Sequence, residues 1–295
     1  MRRLRPSNVT RGLLKEWPLP DLESHDDKDD RGAILIVGGS ASLAGAVVLA
    51  GTAALRAGAG KLQIATSRSV APLVAIAVPE SKSVGLRETR DGTIASSAAS
   101  TIRSLTKDID ALVVGPGMED SSDTRNFVTK IVREIRDVAV VLDAGAISSL
   151  GSRRGLLRNL DGNAVITPHA GEMATLMKKS KDEITGNAID WAMRSASELN
   201  AVVVLKGADT VIADPSGEVF RYRGGSVGLA TSGSGDTLAG ILGGLLARGA
   251  SPVQASVWAV FIHGEAGRAL DKRVGRVGFL AREIVDEVPG ILETL

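Results

Sequence analysis

Gly233-Ser234-Gly235-Asp236 runs directly into the apolar stretch TLAGILGGLLA, and this is where residue types and spacing could do chemistry. A helix that opens after glycines presents unpartnered backbone N–H groups at the positive end of its dipole, which suits an anion such as a phosphate. Glycine at 233 and 235 lets a ligand approach the backbone with no Cβ in the way. Asp236 adds a carboxylate at the same mouth, where it could take a proton or help hold a cation. Two readings of it stay open from these residues alone: chemistry, or a plain helix cap, a task Ser234 could perform equally.

Two further segments carry polar residues where strands should end. Thr167-Pro168-His169-Ala170-Gly171-Glu172 follows the run AVI and opens a helix, so His169 could meet a ligand or move a proton; a buried, hydrogen-bonded histidine is the alternative. Lys206-Gly207-Ala208-Asp209-Thr210 turns one strand into the next. There Lys206 could meet a nucleotide phosphate and the backbone of Gly207 to Thr210 could line adenine or ribose, unless the segment is only a β-turn. The turn after Val37, GGSASLAG, is either a phosphate loop or a tight strand-to-helix turn, and it lacks the Lys-Ser/Thr pair of a Walker A sequence. The histidines at 25, 169 and 263 have no metal-ligand spacing, and His25 reads as exposed and idle.

The elements that must position these residues alternate along the chain. Short apolar runs at 33–37, 62–65, 111–114, 138–142, 164–166 and 201–205 read as buried strands. Amphipathic or small-residue stretches at about 43–57 and 124–136 read as helices, and the last sixty or so residues as mostly helical, with His263 and Glu265 on the penultimate helix. The runs 211–213 and 219–222 flank Asp214-Pro215-Ser216-Gly217 and predict a hairpin. Strand, turn, helix, strand is the unit of a parallel α/β sheet. Gly38, Gly115, Asp143, His169 and Lys206 then recur at C-terminal strand ends, the rim where open parallel sheets bind ligands.

Composition narrows the classes. Lys and Arg number 35 against 34 Asp and Glu, so neither nucleic acid nor an anionic membrane is indicated as the main partner. With no cysteine, thiol nucleophiles and thiolate metal sites are excluded. Aromatic residues make up 3% while glycines number 34, which predicts a core built by close approach of helices and sheet. Residues 1–31 read as a polar N-terminal arm with a solvated acidic run, DLESHDDKDD, and 32–295 as one domain. No signal-peptide or membrane-spanning stretch is evident, so a cytoplasmic location is expected.

Taken in order, the segments GAVVLAGTAALRAGAGKLQIAT, LVVGPGM, VLDAGAI, ITPHAGEM, VVVLKGADTVIADPSG, GLATSGSGDTLAGILGGLLARG and HGEAGRAL resemble the stand-alone NAD(P)H-hydrate dehydratases of the ribokinase-like superfamily. The resemblance implies a three-layer sandwich, its central, mostly parallel sheet flanked by helices. It implies dehydration of the S-form of hydrated NADH and NADPH, with ADP or ATP as co-substrate and Mg2+. Asp236 would be the catalytic and substrate-contacting carboxylate. Gly233, Ser234, Gly235 and Lys206, Gly207, Ala208, Asp209 and Thr210 would hold the nucleotide, and Ala46, Gly117 and His169 the hydrated dinucleotide. A homotetramer is implied, working beside a separate NAD(P)H-hydrate epimerase, since too few residues precede Ala33 for a fused one. Departures from the family pattern are Ser232 in SGSGD, Met118-Glu119 after GPG, Gly145 in LDAGAI and a reduced Lys28…Arg31-Gly32 motif. A small-molecule kinase of the same fold, phosphorylating a vitamin precursor, is the first alternative, and a non-catalytic nucleotide sensor the second.

Overall fold

Runs such as AILIV and ALVV are apolar at every position, which suits strands covered on both faces. In the structure, a computed structural model describing residues 6–21, 31–151 and 153–295, they lie mid-sheet. The strands are β1 (Ser7–Asn8), β2 (Ala33–Val37), β3 (Lys61–Ser67), β4 (Ser81–Leu86), β5 (Ala111–Val114), β6 (Ala139–Leu142), β7 (Ala164–Ile166), β8 (Val202–Leu205), β9 (Thr210–Ala213) and β10 (Val219–Tyr222). Their order across the sheet is β1-β10-β9-β8-β7-β6-β5-β2-β3-β4, and every neighbour is parallel except β9, which runs against both β8 and β10.

The helices are α1 (Arg11–Glu16), α2 (Ala44–Arg56), α3 (Ala71–Ala77), α4 (Ala99–Leu105), α5 (Ser122–Glu134), α6 (Ala170–Met177), α7 (Lys181–Gly186), α8 (Ala188–Leu199), α9 (Ser234–Ala247), α10 (Pro252–Arg273) and α11 (Ala281–Glu293). Strand alternation sorts the core into two layers. Leu35, Val37, Leu112, Val114 and Leu142 pack with Ile102 of α4, Phe127 of α5, Met173 of α6 and Trp191 of α8. Ile34, Ile36, Val113 and Val141 pack with Val47 of α2, Leu238 of α9, Trp258 of α10 and Val285 of α11. The result is the three-layer α/β/α sandwich expected.

Small residues set how close the layers come. A Cβ on Gly240 of α9 would lie 2.2 Å from Ala50 O of α2, and one on Gly243 would lie 2.4 Å from Val113 Cγ2 of β5. α9 is therefore pressed between α2 and the sheet, and its N-terminus is fixed at the rim.

The expected strands and the hairpin are present within a residue or two of their predicted ends. β1 and β4 were not foreseen. Both are edge strands whose polar, partly exposed residues carry no apolar alternation. Residues 6–21, expected within the arm, are stitched onto the fold: Leu14 is fully buried, Trp17 stacks on Phe220 with centroids 6.0 Å apart, and Trp258 Nε1 donates to Trp17 O at 2.9 Å. The acidic run beyond Asp21, with His25 and Lys28, lies outside the described residues.

Candidate active site

α9 begins immediately after Gly233, whose φ of +89° is a left-handed value and whose added Cβ would lie 2.5 Å from Leu49 Cδ1. Glycine is what allows this approach. No side chain caps α9: Ser234 and Asp236 both lie inside its first turn, so the capping alternative for either residue does not hold. Ser234 N reaches Thr231 O at 3.3 Å, while the N–H groups of Gly235 and Asp236 find no backbone acceptor among the described residues. A charged or strongly polar ligand would satisfy them.

Lys206 overlooks this mouth. Its backbone N donates to Pro168 O at 2.8 Å, extending β8 into a single parallel bridge with His169. Its ammonium donates to Asp143 Oδ1 at 2.9 Å, and Thr167 Oγ1 donates to the same oxygen at 2.5 Å. Asp143 is buried at the end of β6. A Cβ on Gly235 would stand 3.4 Å from Lys206 Nζ, so the ammonium lies beside the open N–H groups. Burial alone would lower the lysine pKa, but the carboxylates of Asp143, Glu172 and Asp236 outweigh it and hold the value above 10.5. Asp236 is displaced upward: burial, then the Asp143 carboxylate, raise it to about 6 against the pull of Lys206.

Ala46 and Gly117 also meet at the rim. Gly117 has φ +68°, and a Cβ there would lie 2.5 Å from Leu43 O and 2.9 Å from Ala46 Cβ. Two departures from the family pattern prove to be neighbours: Gly145 N donates to Met118 O at 3.2 Å, and a Cβ at 145 would lie 2.5 Å from that oxygen. On this backbone Gly145 cannot be an aspartate, because the loop carrying Met118-Glu119 occupies the space. The Gly38-Gly39 turn is the tight-turn alternative: Gly38 N donates to Ala65 O at 3.1 Å and Gly39 N to Pro116 O at 2.7 Å, leaving neither for a phosphate.

His169 is neither buried nor free. Its Nδ1 accepts from Gly171 N at 2.9 Å and Glu172 N at 3.1 Å, and Glu172 Oε2 accepts from His169 N at 2.8 Å, a reciprocal capping box that closes the start of α6. The imidazole side chain is 60% exposed, and because Nδ1 accepts, the neutral ring carries its proton on Nε2.

Two clefts flank the Lys206–His169 bridge. The larger, about 990 Å³, is lined by Lys206, Gly207, Ala208 and Asp209 on one side and by Asn187 and Met193 on the other. The smaller, about 610 Å³, is lined by His169, Glu172, Gly145, Ser148 and the ion-paired Asp120 and Arg125. Asp236 lines neither cleft; it sits at the α9 mouth, beside Lys206, which lines the larger one. Thr210 lies just inside β9, its hydroxyl donating to Gly207 O at 3.2 Å. The structure thus gathers Asp236, Gly235 and Lys206 into one group and Ala46 with Gly117 into another, with His169 joined through Lys206. The reading of the residues gave no role to Asp143 beyond its strand-end position and missed Thr167 and the Asp120–Arg125 pair. Only Asp143 carried a signal, as a carboxylate closing an otherwise apolar strand.

Among the described residues no group of three or more His, Asp or Glu side chains could enclose a metal ion. The donor set suits an ion held chiefly by phosphate oxygens and water with one or two carboxylates, the habit of Mg2+.

Comparison with known proteins agrees with this arrangement. The family model described as NAD(P)H-hydrate dehydratase matches residues 34–290. The chain is 47% identical over 291 residues to an ADP-dependent (S)-NAD(P)H-hydrate dehydratase of Xanthomonas campestris, covering 99% of this chain and 98% of that one. It is 36% identical to a bifunctional NAD(P)H-hydrate repair enzyme of Moorella thermoacetica, of which it spans about half (52%). The crystal structure of an ADP/ATP-dependent NAD(P)H-hydrate dehydratase from Bacillus subtilis, co-crystallized with ATP and Mg2+, superposes with a TM-score of 0.86 at 29% identity over 99% of both chains. The family match over residues 34–290 and the near full-length identity together settle the matter: the chain belongs to the NAD(P)H-hydrate dehydratase family.

Proposed function

We propose that this chain carries out the nucleotide-dependent dehydration of the S-form of hydrated NADH and NADPH, with ADP or ATP as co-substrate. The observation that carries the reading is Asp236, raised to about 6 at an uncapped helix mouth beside the Lys206 ammonium. The hydrate bears a hydroxyl on a saturated ring carbon, and hydroxide is a poor leaving group. The oxygen attacks the terminal phosphorus of the nucleotide, the phosphoanhydride bond breaks, and Asp236 takes the hydroxyl proton. The ring nitrogen lone pair then expels phosphate, and loss of a proton from the adjacent ring carbon restores the double bond.

Phosphoryl transfer needs positioning and charge neutralisation above all. In this reading Gly233, Ser234 and Gly235 line the transferring phosphate, which takes the open N–H of Gly235 and the Ser234 hydroxyl as donors. Lys206 offsets its charge while Asp143 and Thr167 keep the ammonium in place. Gly207, Ala208, Asp209 and Thr210 line the adenosine, which the larger cleft accommodates. Ala46, Gly117 and His169 hold the hydrated dinucleotide, with the smaller cleft open to it. Mg2+, held chiefly by the nucleotide phosphates and water, would supply further charge neutralisation. A carboxyl near 6 is suited to exchange a proton at neutral pH.

Residues 32–295 act as one dehydratase domain with 1–31 as its arm, in a cytoplasmic homo-oligomer, a tetramer, working beside a separate epimerase. Leu73 and Ile76 of α3 stand exposed near edge strand β4, in support of self-association, and no helix among the described residues is long and apolar enough to cross a membrane. The test is to supply the S-hydrate with ADP or ATP and follow the reduced-nicotinamide absorbance. Its recovery with release of phosphate supports the lyase, whereas a stable phosphorylated product would identify a kinase.

A further inference from the structure

His263, in the middle of α10, is a half-buried titratable group that the reaction above does not use. Its Nε2 lies 3.0 Å from Ser234 O and 3.0 Å from Ser234 Oγ. Burial pushes its pKa down to about 4, opposed by the bond to the Ser234 backbone and reinforced by the nearby Lys206 charge, so the ring is neutral at working pH. A carbonyl oxygen only accepts, so a neutral ring at that distance must carry its proton on Nε2. A protonated ring nitrogen has no lone pair in the ring plane and cannot accept from the serine hydroxyl. The Ser234 hydroxyl oxygen therefore sits beside Nε2–H as a second acceptor, and its own proton must point elsewhere. Ser234 is the first residue of α9, directly before the open N–H groups of Gly235 and Asp236.

We infer that His263 is a positioning residue that fixes the first turn of α9 and commits the Ser234 hydroxyl to donate toward the phosphate held there. The inference rests on the reading that this mouth takes nucleotide phosphate. The other ring tautomer would place a lone pair against the Ser234 carbonyl and draw the hydroxyl proton back onto the ring, leaving the mouth one donor short.

The experiment measures ADP and adenosine affinity by calorimetry on the full chain and on His263→Phe, His263→Gln, Ser234→Ala and the double variant His263→Phe with Ser234→Ala, each checked for folding by circular dichroism. A hydrogen bond to a charged group is worth enough that its loss should weaken binding roughly tenfold. His263→Phe and Ser234→Ala should each weaken ADP by about that factor and leave adenosine unchanged. The double variant should be no worse than either single one, and His263→Gln, whose amide can donate to Ser234 O, should recover most of the affinity. Parallel loss of adenosine, additive losses in the double variant, or unchanged ADP binding in Ser234→Ala, the mildest change, would each overturn the inference while the nucleotide site itself stands. If the unaltered chain binds ADP no better than adenosine, the phosphate reading fails and this inference with it.

Discussion

Two helices begin on the same rim of the sheet, and they treat their free N–H groups in opposite ways. α6 closes its mouth with its own side chains: His169 Nδ1 takes two donors, and Glu172 returns a bond to the His169 backbone. α9 starts from a left-handed glycine, has no side-chain cap, and places a carboxylate inside its first turn. A capped end favours the folded chain by roughly 1 kcal/mol. Leaving α9 uncapped forgoes that stability and sets an acid where it is held above its ordinary pKa. The contrast separates a helix end closed by its own side chains from one whose first N–H groups have no backbone acceptor among the described residues.

The largest effect expected at the open end comes from Asp236→Asn. If Asp236 takes the hydroxyl proton, turnover should fall by about a thousandfold, within the usual range for losing a general base, with little change in ADP affinity. The kcat/KM of the unaltered enzyme should rise with pH through about 6, and this limb should vanish in the variant. The same substitution should make the protein more stable at neutral pH. Because the folded pKa lies above the unfolded 3.8, the folded state binds the proton more readily and loses stability as pH rises from about 4 to about 6. Asp236→Asn should therefore raise the melting temperature at pH 7, by an amount corresponding to ~2 kcal/mol, and change it little at pH 3. A variant both inactive and no more stable would break the contrast between the two helix ends.

Lys206→Met comes next. It strands the buried Asp143 carboxylate without its ammonium partner, which should destabilise the fold by about 3 kcal/mol and weaken ADP binding. Adding Asp143→Asn should restore much of the stability and none of the ADP affinity, which separates the structural share of the lysine from its share at the mouth. The pH dependence has the sign of a raised lysine: its contribution is complete below 10.5 and is lost as pH climbs through the higher folded value. Melting curves from pH 8 to 12 should fall more steeply for the unaltered chain than for Lys206→Met.

Gly233→Ala probes the backbone of the open end alone. Both its φ of +89° and the 2.5 Å approach to Leu49 forbid a Cβ, so stability should drop by about 1–3 kcal/mol in denaturant titrations.

Most of the sheet could be read from the chain because its central strands are apolar on both faces and end in glycine or polar residues, as at Val114-Gly115 and Leu142-Asp143. The edges could not. Ser7–Asn8 is two residues long and SKSVGL carries polar side chains on its open face, so only the neighbouring strands reveal them. The α9 mouth was legible because glycine, serine and aspartate precede an apolar helix. The Lys206–Asp143–Thr167 cluster was not, since its members come from three strand ends up to 63 residues apart and meet only once β6, β7 and β8 lie side by side. His169 shows the converse limit. Position on the rim was readable, but the use of Nδ1 as its own helix cap depends on local geometry that composition does not encode.

That cap supplies the smallest and sharpest test of the closed end. His169→Ala removes the acceptor for Gly171 N and Glu172 N and should cost about 1 kcal/mol of stability, whereas His169→Asn, a good capping residue, should keep most of it. Neither change touches the α9 mouth, so ADP affinity should hold in both. If Nε2 of His169 contacts the hydrated dinucleotide, both variants should raise KM for the hydrate, because asparagine restores the cap but does not reach as far into the cleft. If only His169→Ala raises KM, the cap itself orders the cleft wall and the ring makes no contact. Equal KM values in all three proteins, with stability lost only in His169→Ala, would reduce His169 to a cap and leave substrate recognition to the rest of the rim.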